Sequence, residues 1–335
     1  MKTAVCIPQL PDPAVQRAEF AQQLSAALSR VGAAYVPVSQ RISDGQSLAL
    51  GSDRNLLQTL QSFFNLSELQ KRSLAQQLTS PWQGVFIALG QEQLADDQQD
   101  HKEVLDLNLE NGTYARWIRR WQARRLAEAG LSADPPLVGQ LAKEEPLGQV
   151  AASLYQIFEA FQEQANHILA ALETVYGQPA GSLVNQHGKN STLRLLHYPP
   201  APHFTVGSIR LGAHQDYSGI TLLWQDSTGG LEILTPDREW VAVEVPPGCI
   251  GVIAGEVTQR WSGNTLHSAP HRVRVANSQQ LAKTRYSIAF FCETNPDCVV
   301  QPGALLGQPQ AEAQPIAVEA FLSQKYDQIF AKSDF

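Results

Sequence analysis

Cysteine is scarce in this 335-residue sequence: four residues, Cys6, Cys249, Cys292 and Cys298, with no C-x-x-C pair among them. That spacing offers neither a zinc knuckle nor a disulfide frame, so the thiols are expected to be free, in a cytoplasmic protein. Long apolar runs are missing too. None approaches the ~20 residues a membrane span requires, and the opening MKTAVCIPQLPDP interrupts its short apolar stretch with proline, unlike a secretory signal. Basic charge is also in short supply, with 25 Lys and Arg against 32 Asp and Glu, a net of -7. Phosphate backbones need a basic surface, so nucleic acid is not an expected partner. No GxGxxG or P-loop pattern joins a strand to a helix, which leaves nucleotide chemistry without support. There is no internal repeat.

What is present is an ordinary globular balance, 43% hydrophobic and 17% charged, long enough to bury a sizeable core. The first half reads mostly helical. In AEFAQQLSAALSRVG, the apolar positions Phe20, Leu24, Leu28 and Val31 recur at helical spacing and Gly32 is a natural stop. AAYVPV follows as a strand, and NLLQTLQSFFNLSELQKRSL as a second helical region anchored by Phe63 and Phe64. TYARWIRRWQARRLAEAG is amphipathic and carries Arg116, Arg119, Arg120, Arg124 and Arg125. Such a run is read as a solvated helix face, the rival being contact with an acidic substrate or partner chain. The longest helix is expected from about Leu147 to Tyr176, its stripe running through Val150, Leu154, Phe158, Phe161, Ala165, Leu169, Leu172 and Val175, with His167 off the stripe.

From about Thr192 the texture changes. TLRLLHY, GITLLW, GLEIL, WVAVEV, CIGVIAG, HRVRV and RYSIAFF are short β-type runs separated by Gly, Pro, Asp and Asn turns. That pitch predicts a sandwich or barrel, with the helical part packed against it.

The chemistry gathers in these runs. LGAHQDYSGITLLWQD carries His214 and Asp216 two residues apart, and on a strand such residues share a face. Tyr217 would then point the opposite way, into the core. WSGNTLHSAPHRVRV adds His267 and His271, potentially on one face if that strand is unbroken. Two histidines and a carboxylate make a facial triad that leaves positions open for a cosubstrate and O2, the geometry of non-haem Fe(II) sites. Arg285 and Ser287 share a later strand face. An arginine inside an apolar strand is costly unless paired, and its planar fork suits a carboxylate that the hydroxyl can also reach.

The sequence resembles the isopenicillin-N-synthase-like family of 2-oxoglutarate- and Fe(II)-dependent oxygenases. SFFNLSELQKRSL and WQGVFIALGQEQL…HKEVLDL are similar to its N-terminal region. LRLLHYPP, HQDYSGITLLWQDSTGGLEIL, TQRWSGNTLHSAPHRV and RYSIAFF match its C-terminal core in order and approximate spacing. The resemblance implies an α+β fold with a double-stranded β-helix, or jelly-roll, braced by N-terminal helices. It makes His214, Asp216 and His271 the iron ligands, with no catalytic group beyond the metal centre. Arg285 and Ser287 would bind the distal carboxylate of 2-oxoglutarate, and Tyr198 would lie near the cosubstrate. His267 stands where the family often has lysine. The expected organisation is an N-terminal helical and strand region over 1–110, a helical connector over 111–190, the catalytic core over 191–300, and a C-terminal tail and helix over 301–335.

The implied reaction oxidises, by default hydroxylates, a C–H bond of a small-molecule substrate, using Fe(II), 2-oxoglutarate and O2 and releasing succinate and CO2. No membrane or nucleic-acid partner is expected, and the chain is expected to be a monomer or weak homodimer. The alternatives are a same-fold Fe(II) oxidase that uses no 2-oxoglutarate and a non-catalytic binding protein. The chain departs from the family pattern at Gly255-Glu256, where Gly-Asp is usual, at PVSQRI in place of an Asn-His-Gly, and at the inserted ANSQQLAK.

Overall fold

Helix α1 (Arg17–Arg30) buries Phe20, Leu24 and Leu28, the periodic positions of its sequence. It ends at a turn where Gly32 adopts φ +80° and a Cβ would stand 2.3 Å from the His267 carbonyl oxygen. Only glycine fits that crossing. Strand β1 (Ala33–Pro37) follows. The computed structural model describes residues 6–13, 16–38, 53–78, 81–93, 100–128 and 145–330. Most of PVSQRI, and the side chains of Arg124 and Arg125, fall outside what is described.

The region expected as one helical stretch is two helices, α2 (Asp53–Phe64) and α3 (Glu68–Gln77). Ser67 divides them: its hydroxyl caps the Gln70 backbone N–H while the Gln70 side chain accepts from the Ser67 N–H. This reciprocal cap starts a new helix rather than continuing the old one. Strands β2 (Trp82–Ile87) and β3 (Glu103–Leu109) come next. The second lies in HKEVLDL, whose Lys-Glu start conceals a strand in the sequence.

Helices α4 (Thr113–Glu128) and α5 (Glu145–Val175) precede the β core, and the stripe on α5 is buried from Val150 to Leu172 with His167 exposed. The core strands are β4 (Thr192–Tyr198), β5 (Ile209–His214), β6 (Ile220–Gln225), β7 (Leu231–Leu234), β8 (Trp240–Ala242), β9 (Cys249–Ala254), β10 (His271–Arg274) and β11 (Arg285–Cys292). A short helix α6 (Glu256–Trp261) follows β9, and β12 (Val299–Val300), β13 (Ile316–Ala317) and α7 (Val318–Phe330) complete the chain.

Among the described residues β12 and β13 pair as a small ribbon, and the other strands form two antiparallel sheets. The larger runs β1-β9-β6-β11-β4-β3-β2 and the smaller β5-β10-β7-β8. This is the α+β jelly-roll that the family resemblance implied, with strands from the first 110 residues extending both ends of the larger sheet. Helix α5 braces the outer face: Phe161 stacks on Phe290 of β11 at 5.8 Å and Phe158 meets the same ring edge-on at 5.1 Å. The long run LGAHQDYSGITLLWQD is therefore not one strand. It is β5 of the smaller sheet, a crossing segment, and β6 of the larger.

Candidate metal centre and its two cavities

Strand β5 ends at His214, so Asp216 lies in the crossing segment rather than on the strand, and alternation does not place it. A backbone contact does. The Glu256 N–H, at the start of α6, donates to the Asp216 carbonyl at 2.8 Å. The tight turn before it needs Gly255, where a Cβ would lie 2.0 Å from the Ser218 carbonyl oxygen. Off the strand, Tyr217 packs against the core, as expected, and also lines the same cavity as Asp216.

Strand β10 begins at His271, just after Pro270, and pairs His271 with His214 across the smaller sheet. Each ring sets its Nδ1 against a backbone carbonyl two residues upstream, His214 to Gly212 at 2.9 Å and His271 to Ala269 at 3.2 Å. A carbonyl only accepts, so Nδ1 carries the hydrogen and Nε2 keeps its lone pair. Both Nε2 atoms face Asp216 Oδ1, at 3.9 Å from His214 and 3.6 Å from His271. Ligand atoms of these three residues lie within 4.8 Å of one another. His267 is absent from the cluster; its segment precedes β10 and its N–H is bound to the Leu28 carbonyl at the end of α1.

Does this donor set suit a divalent ion? Asp216 Oδ2 is buried with no hydrogen-bond partner. An anionic oxygen left so is costly, and a cation removes the cost. Burial, and then the neighbouring His271, push the His214 imidazole down to about 4, so the ring is neutral, the form that coordinates metals. The residues fit a metal.

Beyond the triad, one cavity is lined by His214, Asp216 and His271 at one end and by Tyr198, Arg285 and Ser287 at the other. Arg285 is 2% exposed and opens β11. Its donors go to Gly229 O, Ser287 Oγ and Gln225 Oε1, each at 2.9 Å. All three acceptors are neutral; among the described residues no carboxylate pairs with this buried guanidinium. Tyr198 sits opposite Arg285 in the β4–β11 register, its ring 4.8 Å from the guanidinium. Burial raises the Tyr198 phenol, which keeps it neutral.

A second cavity opens on the other side of His214 and Asp216, walled by Tyr114, Tyr217, Phe291, Glu293, Tyr326 and Ile329. Sequence reasoning missed this wall. A signal was there: Asp106, Arg194 and Glu293 are charges set within or directly after apolar strands. Arg194 donates Nε and Nη2 to the two Asp106 oxygens at 2.7 and 2.8 Å, and Nη1 to Glu92 at 3.0 Å. Lys102 bridges Glu92 at 2.8 Å and Asp100 at 2.7 Å. Burial alone would raise the Glu92 carboxyl, but Arg194 and Lys102 outweigh it and hold the group at about 2. Glu293 makes no ion pair among the described residues, and burial pushes it up to about 8, outweighing the Tyr326 hydrogen bond and the more distant Arg194.

The arginine-rich helix is only partly solvated. Arg116 pairs with Glu319 of α7, and Arg119 donates to Gln83 and to the Glu110 carbonyl.

A jelly-roll with two histidines and one carboxylate converging between its sheets defines a class of metal-dependent enzymes. Comparison with known proteins narrows the class. Residues 189–294 match the 2OG-Fe(II) oxygenase superfamily. A proline hydroxylase, buaE, of Petromyces alliaceus is 30% identical over 304 residues, covering 88% of each chain. The 2-oxoglutarate-dependent dioxygenase htyE of Aspergillus rugulosus is 34% identical over 187 residues, 53% of this chain and 57% of that one. With the first curated relatives, the match spans about half of their length. In fold, the chain is similar to the rice dioxygenase for auxin oxidation, with TM-score 0.66 and 21% identity over 96% of both chains. It is similar also to a full-length Neurospora crassa protein solved in complex with alpha-KG, with TM-score 0.74 and 21% identity over 97% of both chains. The protein belongs to the 2OG-Fe(II) oxygenase superfamily.

Proposed function

We propose that the protein is an Fe(II)- and 2-oxoglutarate-dependent oxygenase that oxidises a C–H bond of a small molecule, most simply by hydroxylation, releasing succinate and CO2. The observation that carries this reading is the single cavity that has the triad at one end and Arg285, held only by neutral acceptors, at the other. In this reading His214, Asp216 and His271 hold Fe(II), which supplies O2 activation when bound. Arg285 receives the distal carboxylate of 2-oxoglutarate through its fork, and the Ser287 hydroxyl donates to the same group. Tyr198 packs beneath Arg285 and limits where the cosubstrate chain can lie. The carbonyls of Gly212 and Ala269 keep the two imidazoles oriented.

The naming of buaE as a proline hydroxylase supports hydroxylation as the default outcome. The four free thiols support a reducing, cytoplasmic setting. A monomer or weak homodimer belongs to the same reading. The test is to measure succinate formed against O2 consumed by the Fe(II)-loaded protein. Succinate appearing in step with O2 uptake, and only with 2-oxoglutarate present, is expected. O2 uptake without succinate would overturn the reading in favour of a same-fold oxidase.

A further inference from the structure

The second cavity raises a separate question: which chemistry does its wall favour? Its cation is already committed. Arg194 spends its fork on Asp106 and its remaining Nη on Glu92. Lys102, behind it, is held by Glu92 and Asp100. Lys325, on α7, is bound to Glu256. An anionic ligand would find no cation free to receive it among these groups. The network also sets three carboxylates, Glu92, Asp100 and Asp106, against two cations, and so carries a residual negative charge.

Glu293 is different. It is 5% exposed and lines the cavity, yet among the described residues the one hydrogen bond its carboxyl receives is from the Tyr326 hydroxyl, at 3.1 and 3.3 Å from its two oxygens. A carboxylate offers about four acceptor positions, so most of its capacity meets no donor among the described residues. Around it stand the rings of Tyr114, Tyr217 and Phe291; Tyr217 already meets Lys325 Nζ at 5.0 Å from its centre and Phe291 the Arg194 guanidinium at 5.9 Å, so this wall is one that accepts cations.

We infer that Glu293 is the specificity-determining residue of this cavity and that it receives a protonated amine, so that the substrate is a small organic cation whose nitrogen docks on Glu293 and whose carbon skeleton extends toward His214 and Asp216. The inference rests on the oxygenase reading, because it takes this cavity as the substrate's place beside the metal. Burial alone makes an unpaired carboxylate unfavourable here; a bound ammonium replaces the missing counter-charge and donors together. Tyr326 positions the carboxyl from α7, which is tied down by the Asp327 contact with Trp117 Nε1 at 2.8 Å and by Glu319 with Arg116.

The experiment uses the full chain loaded with Fe(II) and 2-oxoglutarate under nitrogen, buffered on the alkaline side of the Glu293 value of about 8 so that the carboxyl is ionised, and reads binding by calorimetry. The probes are cyclohexylamine as its ammonium ion, the neutral cyclohexanol and 2-piperidone, and cyclohexanecarboxylate. Wild type is expected to prefer the ammonium over every other probe by roughly ten-fold or more, the factor that one charge-assisted hydrogen bond supplies. Glu293→Gln, which keeps the shape and removes the charge, should lower that preference to about three-fold or less. A neutral probe or the carboxylate binding wild type as tightly as the ammonium would overturn the inference, and this result does not depend on any variant folding. A Glu293→Gln protein that keeps its full preference would overturn it too. Succinate formation by the same wild-type preparation in air is scored separately, so loss of the oxygenase reading and loss of the amine site are distinct results.

Discussion

His214 and His271 face each other across the β5–β10 register with ring centroids 4.3 Å apart, and each donates Nδ1–H to a carbonyl two residues behind it. The pairing sets the two rings at 54° to each other and turns both Nε2 atoms toward Asp216. His267 has no counterpart in the register. His271→Ala should therefore weaken Fe(II) binding by more than the roughly 10–100-fold that loss of an outer hydrogen-bonding partner costs. His267→Ala should leave binding within a few-fold of wild type. Anaerobic Fe(II) titration of both folded variants, with Asp216→Ala as a third, checks the order; equal losses at 267 and 271 would reopen the third ligand.

Arg285 has three neutral acceptors and, among the described residues, no anion. Truncating one partner of a buried charge-assisted pair typically costs ~2–5 kcal/mol, and each 1.4 kcal/mol is about ten-fold. Arg285→Ala should thus raise the apparent 2-oxoglutarate constant by roughly 30-fold or more while Fe(II) binding persists. Arg285→Lys keeps the charge without the fork and should fall between. Ser287→Ala removes one neutral donor, worth ~1 kcal/mol. A 2-oxoglutarate titration at saturating Fe(II) reads all three.

Glu92 is held at about 2 by Arg194 and Lys102 despite its burial. A carboxyl whose folded value is depressed contributes stability that is complete above its unfolded value, near 4.5, and is lost as pH falls from there toward 2. The amount is on the order of 3 kcal/mol, at 1.36 kcal/mol for each pH unit of the interval. Thermal melts between pH 6 and pH 3 should show a steep acid limb for wild type. Glu92→Gln should be less stable at neutral pH, because it leaves two buried cations short of a partner, and its acid limb should be flatter. Parallel limbs would contradict the assignment.

Phe290 joins the jelly-roll to α5 by contact with both Phe158 and Phe161, and is fully buried. Phe290→Ala should cost ~3–5 kcal/mol in denaturant unfolding, the usual range for a buried aromatic. A cost under about 1 kcal/mol would mean that the helix and the sheet collapse around the loss.

Most of the β core was legible because its strands are short runs of apolar and β-branched residues bounded by turn formers; all seven runs from TLRLLHY to RYSIAFF hold strands, while β5, read together with β6, was not separated. Helices α1 and α5 were legible from their stripes. What the sequence hid was decided by single residues or by distant ones. The cap at Ser67 splits a continuous helical pattern. The strand in HKEVLDL is masked by its charged start, Lys102 and Glu103, both paired within the fold. His214 and Asp216 were rightly put side by side, but for a reason that strand alternation does not supply, since the Glu256 backbone sets Asp216 from across the fold. The wall of Glu293 and Tyr326 was out of reach because its two halves are 33 residues apart and meet only when α7 docks.

The chain changes sheets between His214 and Ile220, and this crossing divides ownership of the first cavity. His214 and His271 belong to the smaller leaf of the sandwich, Tyr198, Arg285 and Ser287 to the larger. A dicarboxylate that reached both ends would act as a tie-rod between leaves that otherwise meet through side-chain packing. The consequence is mechanical: metal alone should stiffen the smaller leaf, whereas metal and dicarboxylate together should brace both. Amide hydrogens of β10 and β11 would then slow their exchange jointly, and only with both ligands bound.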